Sequence, residues 1–269
     1  MRLLVAVLAL FLIAAPAMAD GDGASAARHA DTTSVVTPPP DADWDYQLGG
    51  AAAPADNAGV VSRDRTEAPV AGRYNICYVN AFQTQESERS FWRDHPSRWR
   101  LVLKRKGRAV VDSGWGEWLL DTRTAATREA LGKIVGRWID GCAADGFDAL
   151  ELDNLDSFQR SRGLIRRADN KFFAKLLVDR AHQHALAVAQ KNWVELGAEG
   201  PRLGFDFAVA EQCGQYRECA GYLAAYGDHV LAVEYTNASF GWTCAHVGDR
   251  WSVVRRDLDL STHGVRRFC

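Results

Sequence analysis

Residues 146–156 read Gly146-Phe147-Asp148-Ala149-Leu150-Glu151-Leu152-Asp153-Asn154-Leu155-Asp156. The apolar positions make a run of strand length that ends in three carboxylates, Glu151, Asp153 and Asp156. A buried carboxylate costs several kcal/mol unless it is paired, hydrogen-bonded or close to water. A strand that carries acids at its C-terminal end is therefore delivering them to a site. In parallel α/β folds, ligands bind beyond the carboxyl ends of the strands. The stretch reads as one wall of an active site.

Outward from this strand, short apolar runs alternate with helical ones, which is the pattern of βα units around a parallel sheet. Strands are expected at Trp44–Leu48, Tyr74–Asn80, Trp118–Asp121, Ala149–Asp153, Leu186–Gln190, Phe205–Glu211, Val230–Tyr235 and Ser252–Arg255. Helices are expected over Thr124–Ala144, Ala168–His184 and Glu218–Tyr226, each from apolar residues at spacings of three and four. Eight strands predict a single-domain α/β protein, a (β/α)8 TIM barrel stapled by disulfides. Strand alternation places Asp153, Glu151, Ala149 and Phe147 on the inner face, with Phe205, Phe207, Val209 and Glu211 sharing one face of their strand. Tyr78 and Asn80 inward puts Cys77 outward.

The N-terminus argues for export. Arg2, an apolar run from Leu3 to Ala15, and Ala17-Met18-Ala19 have the form of a signal peptide over residues 1–19. The run is shorter than the roughly 20 residues that span a bilayer, and Pro16 follows it. Residues 20–43, rich in Ala, Gly, Asp, Thr and Pro, have too little apolar surface to fold and are expected to be a disordered leader. The folded domain is then 44–269. All six cysteines lie outside the signal, an even count that suits an oxidising compartment. Six allow 15 pairings. Cys213 with Cys219 is local, Cys244 with Cys269 would fasten the C-terminus, and Cys77 with Cys142 is what remains.

Polar residues end six of the strands: Asn80, Asp121, Asp153, Asn192, Glu211 and Glu234. Two acids that converge from different strands suit glycoside hydrolysis, in which one carboxyl donates a proton while the other acts as nucleophile or base. Asp153 and Glu211, each closing an apolar strand, are the expected pair. Asp45, Tyr46, Tyr78, Glu151, Asn154, Asp156, Lys191, Asn192, Glu234 and Tyr235 are the expected substrate contacts. Lys191 beside the acids would favour an ionised nucleophile. Nine tryptophans are present, and Trp115, Trp118, Trp193 and Trp242 fall near strand ends, where flat rings can hold sugar faces. The formal charge is −2, and there is no basic run with interleaved aromatics, so nucleic acid is not an expected partner. No C-x-x-C, H-E-x-x-H, G-x-S-x-G or Walker sequence occurs, and neither a metal nor a cofactor is expected.

The order Trp44–Gln47, Ile76-Cys77-Tyr78, residues 146–156, Gln190-Lys191-Asn192, Ala210-Glu211-Gln212-Cys213 and Val233-Glu234-Tyr235 resembles glycoside hydrolase family 114, the endo-α-1,4-polygalactosaminidases. The resemblance implies a cofactor-free barrel that cleaves α-1,4-linked galactosamine polymers with retention, Asp153 as nucleophile and Glu211 as acid/base. Relatives commonly carry two acids before that cysteine, where this chain has Glu211-Gln212. A mouth lined by Asp45, Glu151, Asp153, Asp156, Glu211 and Glu234 would attract the ammonium groups of such a polymer. The protein is expected to be a secreted monomer with a cationic polysaccharide as partner, and with no membrane contact once the signal is cut.

Overall fold

The structure, a computed structural model, describes residues 34–269. The expected signal peptide and residues 20–33 of the expected leader lie outside the described residues. Eight parallel strands form the barrel: β1 (Trp44–Gln47), β2 (Val60–Asp64), β3 (Tyr74–Asn80) and, after the small β4–β5 hairpin (Lys104–Arg105 and Arg108–Ala109), β6 (Ala149–Asp153), β7 (Ala187–Lys191), β8 (Phe207–Glu211), β9 (Val230–Glu234) and β10 (Ser252–Arg256). An antiparallel β11 (Arg266–Phe268) is added beside β10. The helices are α1 (Arg89–Arg93), α2 (Pro96–Trp99), α3 (Ala125–Asp145), α4 (Arg167–His182), α5 (Glu199–Leu203), α6 (Cys213–Tyr216), α7 (Cys219–Tyr226) and α8 (Asn237–Val247).

Two apolar layers follow from strand alternation. Trp44, Tyr46, Ile76, Ala149, Ala189, Phe207, Val209 and Val233 fill the barrel. Cys77, Val79, Leu150, Leu152, Ala208 and Ala210 point outward to meet the helices. Phe147 and Phe205 belong to this outer layer, against the expectation that they continue the inner face. Each precedes its strand by two residues and follows a left-handed glycine, Gly146 (φ 90°) or Gly204 (φ 98°), so the alternation has not yet begun. The longest helix, α3, is capped by Thr124, whose hydroxyl accepts from the Thr127 N–H (3.1 Å). It buries Leu131, Ile134, Val135, Ile139 and Cys142 along one stripe.

The strand count was legible, but one member differs. Trp118–Asp121 is not a barrel strand: Trp118, Leu119 and Leu120 make single antiparallel bridges to Val111, Gln83 and Val102. There, in the long β3–α3 connection, Leu119 packs with Leu103, Val110 and Ile165 in a small core of its own. The barrel strand in its stead is β2, only Val60 and Val61 followed by polar residues. Its polar side chains are consumed locally: Ser62 Oγ accepts from Trp44 Nε1 (2.9 Å), and Arg63 donates to Gln47 Oε1 (3.0 Å). Neither the β1–β2 nor the β2–β3 connection contains a helix.

Between β1 and β10, a parallel bridge joins Gly49 to Ser261. A Cβ on Gly49 would stand 2.6 Å from the Asp259 and Leu260 carbonyl oxygens, so only glycine admits that approach. Residues 34–43, expected to be loose, lie against the barrel: Val35 and Ala42 pack on the inner cluster, and the Tyr74 hydroxyl donates to the Val36 carbonyl (2.5 Å). The disulfides are Cys77–Cys142, tying β3 to α3, Cys213–Cys219, and Cys244–Cys269. No helix among the described residues is long and apolar enough to cross a membrane.

Candidate active site

β6, β7 and β8 end in Asp153, Lys191 and Glu211, and each is followed at once by a left-handed residue: Asn154 (φ 64°), Asn192 (φ 51°) and Gln212 (φ 60°). The turn stops each strand at that residue and carries the chain away from the mouth. Left-handed backbone is costly for most side chains, and Asn tolerates it best. The three strand ends border a cavity of about 490 Å³ at the C-terminal side of the barrel.

Lys191 is the hub. Its side chain is 2 % exposed, and its ammonium donates to Glu151 Oε1 (2.7 Å) and the Tyr46 hydroxyl (2.8 Å). Tyr46 in turn donates to Glu151 Oε1 (2.6 Å). The same ammonium lies 3.6 Å from Asp153 Oδ1 and 3.6 Å from Glu211 Oε2. Burial alone would push Lys191 down, but the charges of Asp153, Glu151 and Glu211 outweigh it and hold the group above its ordinary value. Lys191 is therefore a fixed cation. Burial pushes the Glu151 carboxyl up, against the pull of Lys191 and Tyr46.

The two acids above this floor are oriented by further donors. Asp153 accepts from the Tyr78 hydroxyl (2.6 Å) and from the Asn154 N–H (2.8 Å). Glu211 accepts from Tyr235 (2.5 Å) and Asn192 Nδ2 (3.0 Å), while its own N–H donates to Asn192 Oδ1 (2.9 Å). Burial first, and then the neighbouring carboxylates, raise Tyr46, Tyr78 and Tyr235, so all three phenols remain protonated donors. Because one ammonium touches both acids, their nearest oxygens stand no further apart than twice 3.6 Å.

Tyr46, Tyr78, Asp153, Asn154, Asp156, Lys191, Asn192, Glu211 and Tyr235 line the cavity, and Glu151 lies directly beneath it. Asp45 and Glu234 do not line it. Asp45 is fully buried on the outward side of β1, where it receives Gln47 Nε2 (2.8 Å), the Ala55 N–H (3.1 Å) and Arg266 (3.0 Å). Glu234 alternates outward on β9 and accepts from the Gly214 N–H (2.7 Å) and Thr243 (3.0 Å), fastening α6 and α8. Both are structural carboxylates, and the expected acidic mouth loses them. Asp121 is likewise occupied, by Arg123 (2.7 Å).

Of the four tryptophans near strand ends, Trp115 alone lines the cavity, at 59 % exposed. Trp193 is buried against Phe158, Trp118 packs on Trp99, and Trp242 stacks on His246. Asp112 and Glu117, in the same loop as Trp115, also line the cavity. Sequence reasoning missed both. The Ser-Gly-Trp-Gly-Glu-Trp stretch at 113–118 marks an unusual loop, yet nothing local says that it folds over a barrel mouth. Among the described residues no group of three potential metal ligands occurs.

A parallel barrel with carboxyl groups and a buried lysine gathered at its C-terminal mouth has the arrangement of a TIM-barrel enzyme. The chain belongs to glycoside hydrolase family 114, whose model matches residues 24–269, and it is a glycoside hydrolase. By structure it is similar to Aspergillus fumigatus Ega3 in complex with galactosamine, with a TM-score of 0.70 and 22 % identity, covering 88 % of this chain and 98 % of that one. It is also similar to the glycoside hydrolase domain of PelA from Pseudomonas aeruginosa, with a TM-score of 0.59 and 14 % identity, covering 84 % and 99 %. No curated protein matches the chain by sequence.

Proposed function

We propose that the protein is a secreted, endo-acting hydrolase of α-1,4-linked galactosamine-containing polysaccharide that works by retaining double displacement. The observation that supports it most is the pairing of Asp153 and Glu211 across one lysine, both opening on the same cavity. Three carboxyls, Glu151, Asp153 and Glu211, face a single buried cation. In its protonated form Glu211 donates to the glycosidic oxygen as Asp153 attacks the anomeric carbon. A glycosyl ester forms on Asp153 and the leaving chain departs with the proton. Glu211 then deprotonates water, which attacks the same carbon and frees Asp153. The bound on the carboxyl separation admits the approximately 5–5.5 Å of retaining enzymes and excludes the upper part of the inverting range of about 6.5–9.5 Å.

The substrate class follows from the family and from the galactosamine held by the similar Ega3 structure. The acids around the cavity suit a cationic sugar. Export is supported by the leader sequence and the three disulfides. The test is release of reducing ends from a galactosamine polymer. Glu211→Gln should lower kcat by about 10²–10⁴-fold, and Asp153→Asn by roughly a thousandfold or more, with unchanged thermal unfolding. Near-normal turnover by either variant refutes the pairing.

A further inference from the structure

Of the acids that line the cavity, Glu117 differs from the rest in its partners. Asp153 and Glu211 share Lys191, and Asp112 and Asp156 are each held by Arg160 at 2.9 Å. Asp259 is at the exposed rim. Glu117 has no ion-pair partner among the described residues: both its oxygens accept only from the Asn80 amide, at 3.0 Å each. Asn80 lies opposite Asp153 in the β3–β6 register, and its own oxygen accepts from Asn154 Nδ2 (3.0 Å). A line of amides thus fixes Glu117 beside the acids without neutralising it. Trp115, two residues earlier, presents an exposed ring to the same cavity.

We propose that Glu117 is the charge-reading residue of the cavity, pairing with the ammonium of an amino sugar beside the scissile one while Trp115 covers the apolar face of that sugar. The inference rests on the hydrolase reading for its substrate class, and assigns specificity to a residue outside the acid pair. An ammonium would supply the cation that Glu117, alone among the described carboxylates lining the cavity inside its exposed rim, lacks, whereas an N-acetyl group in that place strands it. The protonation chemistry agrees. Burial pushes Glu117 up to about 7; the Asn80 amide opposes this, Asp153 of β6 and Asp112 of its own loop add to it, and Arg160 opposes it. A bound ammonium pulls the carboxyl back down, so binding near pH 7 expels a proton.

The test is titration calorimetry with galactosamine oligosaccharides and their N-acetylated counterparts, on Asp153→Asn protein to stop turnover, with and without Glu117→Gln. Adding Glu117→Gln should weaken the deacetylated ligand about tenfold and leave the acetylated one within about twofold. Proton release, read from the dependence of the heat on buffer, should vanish with it. Equal loss on both ligands, or no loss, overturns the assignment. So does a Glu117→Gln enzyme that loses kcat at unchanged KM, which would make Glu117 a proton-transfer group. Glu117→Asp serves as the second variant should the amide perturb folding. Reducing-end release by the unsubstituted enzyme judges the hydrolase reading separately, since binding is measured without cleavage.

Discussion

Glu117 shows how a site residue can oppose stability. Its carboxyl titrates near 7 in the fold against about 4.5 in the unfolded chain, so the folded state binds the proton more tightly. For an acid raised in this way, stability is fully present below the unfolded value and falls as pH rises towards 7. Above pH 7 the ionised side chain costs the fold on the order of 1–2 kcal/mol, after discounting for solvent near the mouth. Glu117→Gln should therefore raise the melting temperature at pH 8 and leave it unchanged at pH 4. Thermal unfolding at the two pH values checks this, and an equal effect at both contradicts it. Lys191 lies at the other extreme: sealed from water, it is meaningful only with its acids. Its position at a strand end was legible in sequence. Its place beside the acids was expected from that position, but its bonds to Tyr46 and Glu151 were not, because they depend on β1 and β6 converging on β7.

Among the elements, α3 and the strand it covers carry the plainest sequence signal and the longest covalent brace. Cys77 faces outward from β3 and meets Cys142 in the last turn of α3, across a sequence separation of 65. A loop of that length loses about 4 kcal/mol of denatured-state entropy on closure. Replacing both cysteines by serine should cost stability of that order in chemical denaturation, with catalysis kept at low denaturant. A loss below about 1 kcal/mol would show that the brace is incidental. The outward direction of Cys77 followed from the inward placement of Tyr78 and Asn80. The elements misread in sequence share a different cause. β2 has two valines and then a polar tail, and its identity comes from neighbours that pair with it on both sides. Trp118–Asp121 has the apolar content of a strand but divides it, Leu119 entering the small core of the β3–α3 connection while Leu120 and Trp118 join the outer layer.

At the scale of the whole molecule, the barrel turns residues far apart in sequence into one mouth. Asp153, Lys191 and Glu211 end three successive strands of the sheet, and Tyr46, Tyr78 and Tyr235 reach them from β1, β3 and the end of β9. Strand-end position alone was enough to find the acids on β6 and β8. It also drew in Glu234, because an outward carboxylate on a short strand looks the same in sequence as an inward one, and the same holds for Asp45 at the opening of β1. Only side-chain parity within the closed sheet separates them. Glu117 lay beyond reach, since no periodicity tells where a long connection folds back. The central claim is that Asp153 and Glu211 work as one pair through a covalent ester. It is tested most directly by proton NMR of the first sugar ends released from a galactosamine polymer. Retention predicts that the new reducing ends appear first as the α-anomer and only later equilibrate; β-anomer appearing first would contradict it.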